Sequence, residues 1–229
     1  MRNFQITNLL LMGGLGWLLL GCSTTVTFGP TPQPGGDSNG KPRPSDTRVD
    51  FNDPLLINRK VLLFGEIDQR VAEVAIQKLL FLDSRGHDPI DLFLETPGGD
   101  MKYAWAVQQT MRLIHSPVNT YALSECNSGG AMLLAAGTGQ RYAFHGAVIV
   151  IHGLKPGLGA EKPPAAFLAD VQDSYTDFWR KCARLPASWL PLPLDSLRIL
   201  TAEQALQCGI VDEVIDNSKI APTNHVLGP

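Results

Sequence analysis

Cysteine is scarce and unpatterned in this sequence. Of 229 residues four are cysteine, and none belongs to a Cys-x-x-Cys pair or a His/Cys cluster of the kind that holds zinc. Beyond Cys22 only Cys126, Cys182 and Cys208 remain, an odd number that argues against an obligatory disulfide framework and for mostly buried, reduced thiols. Charge of one sign is also lacking. Lys and Arg number 19 against 22 Asp and Glu, so no basic excess points to a nucleic-acid partner. No motif calls for a metal or an organic cofactor, and none is expected. The length suffices for one well-packed domain and is too short for two large ones.

A long apolar run is missing too, except near the start. Leu9–Leu20 is apolar apart from small residues, follows Arg2, and is short for a membrane span. It ends in Leu19-Leu20-Gly21-Cys22, which resembles the lipobox of bacterial lipoproteins. That resemblance implies a signal peptide over residues 1–21 and a lipidated Cys22. Ser23 in the next position resembles outer-membrane sorting rather than inner-membrane retention. Residues 22–50 are rich in Pro, Gly, Ser and Thr without apolar periodicity, and read as a tether between the lipid and a folded domain over 51–216. Residues 217–229 read as a loose tail.

From Lys60 onward strands and helices alternate. Val61–Ile67 reads as a strand and Asp68 as the cap of a helix with Val71, Val74, Ala75, Leu79 and Leu82 on one face. Ile90–Leu94 reads as a strand, Met101–Ile114 as a helix and Thr120–Leu123 as a strand. Gly129–Gly137 reads as a small-residue helix, and Ala147–Ile151 as a buried strand. Pro163-Pro164 opens a helix of about 20 residues reaching Arg184. Thr201 and Gln204 form a capping box for a last helix that Gly209 ends. This alternation predicts an α/β fold, a mainly parallel sheet flanked by helices on both faces.

Three places carry residues suited to chemistry. Thr96-Pro97-Gly98-Gly99 directly follows a strand, where adjacent glycines turn the backbone and leave N–H groups open to an oxyanion; an ordinary strand-to-helix turn has the same composition. Ser128 opens a helix after a strand, the place of a cap but also of a nucleophile, with Gly129 next to it. His152 ends an apolar strand, where its ring nitrogens must find partners, as a buried structural histidine or as a base. Asp195 is either a turn residue or the group that orients the histidine.

Together these segments resemble the proteolytic subunit of the Clp protease family. The family's Ser-Pro-Gly-Gly is matched by Thr96-Pro97-Gly98-Gly99, and its Ala-Ser-Met-Gly-Ala by Asn127-Ser128-Gly129-Gly130-Ala131. Its Arg-Tyr-Ala is matched by Arg141-Tyr142-Ala143, and its Met-Ile-His by Val150-Ile151-His152. Its closing Ser-Ala-x-Glu-Ala and Gly-Leu-Val-Asp resemble Thr201–Ala205 and Gly209–Asp212. The resemblance implies a ClpP/crotonase-like fold with a protruding handle helix from about Ala165 to Arg184, a homo-oligomer, and a serine peptidase. It implies Ser128 as nucleophile, His152 as base, Asp195 as the third member, and N–H groups of Gly98 or Gly99 and of Gly129 as the oxyanion site. Two departures stand out. Gly129 replaces the usual methionine, and an ungapped match puts Pro193 rather than Asp195 at the aspartate position. With a lipoprotein leader, the expected activity is cleavage of peptides or unfolded segments in the cell envelope, on the periplasmic side, without an ATPase partner. A Ser–Lys mechanism through Lys155 ranks below Ser–His. The alternative is an inactive peptide-binding or scaffold lipoprotein.

Overall fold

The computed structural model describes residues 49–154, 164–193 and 195–216, all within one compact unit, Ser45–Pro229. Cys22, most of the 22–50 tether, Lys155 and the 217–229 tail lie outside the described residues. No helix of the described residues is long and apolar enough to cross a membrane.

The elements run α1 (Pro54–Ile57), β1 (Lys60–Phe64), α2 (Gln69–Ser84), β2 (Ile90–Thr96), α3 (Met101–Leu113), β3 (Val118–Asn127), α4 (Gly129–Ala135), β4 (Arg141–Phe144), β5 (Val148–His152), α5 (Ala165–Cys182), β6 (Leu197–Thr201), α6 (Ala202–Gln207) and β7 (Glu213–Ile215), with a short 3-10 turn at Ala187–Trp189. They build one seven-stranded sheet in which β1, β2, β3, β4 and β7 are neighbours in that order, while β5 joins β3 to β6. Every pairing is parallel except β5 with β6. The expected α/β architecture is therefore present, as a mixed sheet with one antiparallel edge strand.

The helices follow from their caps and stripes. Asp68 accepts the Val71 N–H and starts α2, which buries Ala72, Ala75, Leu79 and Leu82 at spacings of three and four. Asp100 does the same for α3, which buries Ala104, Val107 and Met111. Thr201 and Gln204 close a reciprocal capping box on α6. Fully buried Leu92, Leu94, Ile149 and Ile151 from the strands complete the core.

Two features differ from the sequence expectation in ways that set the site. First, β3 is ten residues long and changes partner midway. Thr120–Ala122 pair with β4, whereas Glu125–Asn127 pair with β5. Between them the strand bulges, with Leu94 opposite Ala122 but Thr96 opposite Cys126. Glu95 holds the bulge, its carboxylate accepting the Ser124 N–H and hydroxyl and the Glu125 N–H. Second, α5 is clamped at one end. Tyr175, Thr176, Phe178 and Trp179 are buried, while Phe167 near its start is 57% exposed. Core packing thus accounts for Tyr175 and Phe178, and Phe167 is left on the surface of a projecting half-helix.

Candidate active site

Ser128 sits in the one-residue corner between β3 and α4, with φ 53° and ψ −117°. Glycine aside, such positive φ values are uncommon and cost energy, so the surrounding structure must impose them. The corner is fixed by the Ser128 N–H donating to the Val150 carbonyl of β5 at 2.7 Å and by the Ser128 carbonyl receiving the Met132 N–H. The side chain makes no capping bond. The simplest reading of a serine at a helix start, that its hydroxyl serves the helix, is thereby removed. A strained strand-to-helix serine whose hydroxyl has no hydrogen-bond partner among the described residues has the geometry of a nucleophile elbow.

Small residues are required around it. A Cβ on Gly130 would lie 2.4 Å from the Thr96 methyl, so α4 can lie against β2 only as glycine there. Gly98, with φ 99°, has the most direct relation to Ser128. A Cβ on it would fall 2.6 Å from the Ser128 Cβ and 3.3 Å from its Oγ. The strand β2 thus delivers its glycine turn directly onto the serine.

Backbone hydrogen bonds sort the oxyanion candidates. The Gly98 N–H donates to the Thr96 hydroxyl at 3.0 Å, and the Gly98 carbonyl accepts the Ile67 N–H at 2.8 Å. Gly98 is fully engaged in holding the turn. The N–H groups of Gly99 and Gly129 have no hydrogen-bond partner among the described residues. Gly99 is exposed and bridged to Ile67; Gly129 opens α4, where the first N–H groups have no partner inside the helix. Of the three glycines chosen from sequence, the two with open donors are therefore Gly99 and Gly129.

His152 closes β5 two residues beyond Val150, the strand-mate of Asn127. It is half-buried, and its Nδ1 lies 2.6 Å from the Gly153 carbonyl. A carbonyl only accepts, so Nδ1 carries the proton and the neutral ring keeps its basic lone pair on Nε2. The backbone is pinned as well. Tyr175 of α5 donates its hydroxyl to the His152 carbonyl at 2.7 Å, and Gly153 N–H donates to the Ser196 carbonyl at 3.1 Å. Burial pushes the Tyr175 phenol up to about 12, so it remains a donor. Among the described residues no hydrogen bond joins the Ser128 hydroxyl to the imidazole.

Asp195 lies in an exposed turn leading into β6, whose Leu197 pairs with His152. It borders the histidine's end of the sheet, yet no hydrogen bond or ion pair links its carboxylate to the ring among the described residues. Strand β6 also separates it from α6, so it does not stand immediately before the last helix. The residue that sequence reasoning missed is Gly153, whose carbonyl occupies Nδ1; a backbone acceptor leaves no side-chain signal. A rival nucleophile is excluded nearby, since complete burial raises the Cys126 thiol far above its ordinary value. Two surface hollows of about 440 and 400 Å³ lie between α3 and the end of α5, and neither is lined by Ser128, Gly98 or His152.

The fold and this corner define a class, α/β proteins that present a strained serine between a sheet strand and a small-residue helix, next to a glycine turn. Within that class the Clp protease family model matches residues 44–218, and the chain belongs to that family. It is 29% identical over 176 residues to the ATP-dependent Clp protease proteolytic subunit of Deinococcus radiodurans, covering 74% of this chain and 86% of that protein. It is 30% identical over 187 residues to the ATP-dependent Clp protease proteolytic subunit 2 of Chlamydia muridarum, covering 78% and 91%.

Proposed function

We propose that the protein is a serine peptidase that cleaves peptides or unfolded segments in the bacterial cell envelope, held on the periplasmic side by lipid on Cys22. The observation that carries the peptidase reading is the strained conformation of Ser128 with its hydroxyl free of any capping role. In this mechanism the Ser128 Oγ attacks the scissile carbonyl carbon while His152 Nε2 takes the hydroxyl proton. The oxyanion that forms accepts hydrogen bonds from the Gly99 and Gly129 N–H groups. His152 then returns the proton to the leaving amine, and water releases the acyl group by the same route. The Gly153 carbonyl holds the imidazole tautomer, and Asp195 is a further candidate for stabilising the charged ring. We assign no ATPase partner to an envelope location. The exposed half of α5 belongs, on this reading, to contacts between copies of the chain.

A second reading has its own support. The missing Ser128–His152 hydrogen bond and the solvent-facing Asp195 suit a peptide-binding scaffold that has given up turnover. A fluorophosphonate probe separates the two. Labelling of the wild type that is lost in S128A and much weakened in H152A supports the peptidase. A folded, assembled wild type that does not label refutes it and leaves the scaffold.

A further inference from the structure

At the opposite end of β2 and β3 from Ser128, two turns bring three metal-ligand side chains together. Asp83 lies in the last turn of α2, His87 in the turn that leads to β2, and His115 in the turn between α3 and β3. His87 Nδ1 stands 3.2 Å from Asp83 Oδ1, and His115 Nδ1 stands 3.7 Å from Asp83 Oδ2. The two imidazoles are 5.1 Å apart between ring centres, and one ligand atom from each of the three residues lies within 4.8 Å of the others. Zinc–nitrogen and zinc–oxygen bonds of about 2.0 Å put neighbouring tetrahedral ligands about 3.3 Å apart, so small ring rotations bring this triangle to bonding size.

The surroundings hold the carboxylate in place. Asp83 Oδ1 accepts the His115 N–H at 3.1 Å, the Ser116 N–H at 2.8 Å and the Ser116 hydroxyl at 2.9 Å. None of these bonds uses Oδ2, which is left for a cation. A carboxylate at the C-terminal end of a helix meets the negative end of the dipole, a placement that favours a positive charge beside it. Arg59 supplies part of that charge, donating to the Leu82, Gly86 and Asp88 carbonyls and to the Ser116 hydroxyl. Its bonds run to backbone carbonyls and to the Ser116 hydroxyl, and none goes to Asp83 or to either imidazole. Both rings are exposed, at 63% and 79%.

We propose that Asp83, His87 and His115 form a binding site for a divalent transition ion of the zinc type. Two imidazole nitrogens and one carboxylate oxygen favour such an ion over magnesium or calcium, which prefer all-oxygen shells. Because His87 Nδ1 donates to Asp83 Oδ1 in the free protein, binding moves that ring's proton to Nε2; each imidazole then gives its Nδ1 lone pair to the metal, and water completes the shell. The ion ties the α2–β2 turn to the α3–β3 turn, where Ile90 and Val118 begin their parallel pairing. Its role is to brace that end of the sheet, remote from the serine corner.

Isothermal titration with zinc chloride tests this on the full chain, without a histidine tag, in detergent and stripped with EDTA. Saturable binding at one ion per chain with a micromolar Kd is expected. At a hundredfold excess over Kd, Tm should rise by roughly 5–10 °C. His87→Ala and His115→Ala should each weaken binding at least about tenfold. Both rings are exposed, so the variants keep the fold, and Ser128 reactivity should be unchanged. No saturable zinc binding, wild-type affinity in both variants, or magnesium binding as tight as zinc would each overturn the proposal.

Discussion

Replacing Ser128 by alanine and by glycine, side by side, measures the strain in the corner independently of any reaction. Both variants lose the hydroxyl, which caps nothing, so their difference isolates the Cβ at φ 53°. Holding a non-glycine residue there costs about 1–3 kcal/mol, which glycine escapes. Against this, glycine adds about 0.5–1 kcal/mol of unfolded-state entropy. The balance leaves S128G more stable than S128A by roughly 0–2.5 kcal/mol, a Tm up to about 10 °C higher for a domain of this size. Paired calorimetric or circular-dichroism melts at matched concentration read the difference. A melting point for S128G below that of S128A would refute the claim that the protein holds this residue under strain.

The remaining predictions concern the neighbours of that corner and the clamps of the fold. Gly98→Ala brings a Cβ to 2.6 Å from the Ser128 Cβ at a φ of 99°, and should abolish fluorophosphonate labelling while lowering stability by at least about 2 kcal/mol; normal labelling would remove Gly98 from the site. Tyr175→Phe deletes the bond to the His152 carbonyl and should cost about 1 kcal/mol in denaturant unfolding, with slower labelling. Arg141 grips Asp212 through two guanidinium nitrogens while also donating to the Cys182 carbonyl at 2.6 Å, so Asp212→Ala should cost about 2–3 kcal/mol. Arg141 holds the Asp212 carboxyl below its usual 3.8. For Glu95, burial pulls upward but the Ser124 and Glu125 donors win and hold it below 4.5. Folded pKa values below the unfolded ones mean that this stability is fully present above about pH 4.5 and is lost as pH falls through the folded values. Urea titrations from pH 6 to 3 should show that decline, with a shallower slope in Glu95→Gln.

Most of the helices were legible because their evidence is local. Asp68, Thr201 and Gln204 are caps, and the apolar stripe of α2 recurs at helical spacing. Strands β4, β6 and β7 were not read, being three to five residues long and held by partners far along the chain. Only the first part of β3 was anticipated, because its continuation depends on Glu95 reaching across from β2. The site divided along the same line. Paired glycines announce a tight turn, and a histidine closing an apolar strand is conspicuous. The positive φ of Ser128, the engagement of Gly98 by the Thr96 hydroxyl and the Gly153 carbonyl on His152 are three-dimensional facts with no residue-type signature. Asp83, His87 and His115 stayed unread for the same reason, since two separate turns bring them together.

The bulge in β3 also sets a rule of parity. Four steps along β3, from Ala122 to Cys126, run beside two steps along β2, and the excess is even. Side chains alternate across a sheet, so an even excess leaves Cys126 on the same buried face as Ala122 and lets Ser128 keep its handedness relative to the core. Loss of one residue from Leu123–Glu125 would turn every later side chain of the strand to the wrong face. Loss of two would keep the faces but draw the serine back by about 6–7 Å, well clear of Gly98. Between Ala122 and Ser128 the length of the chain is therefore fixed.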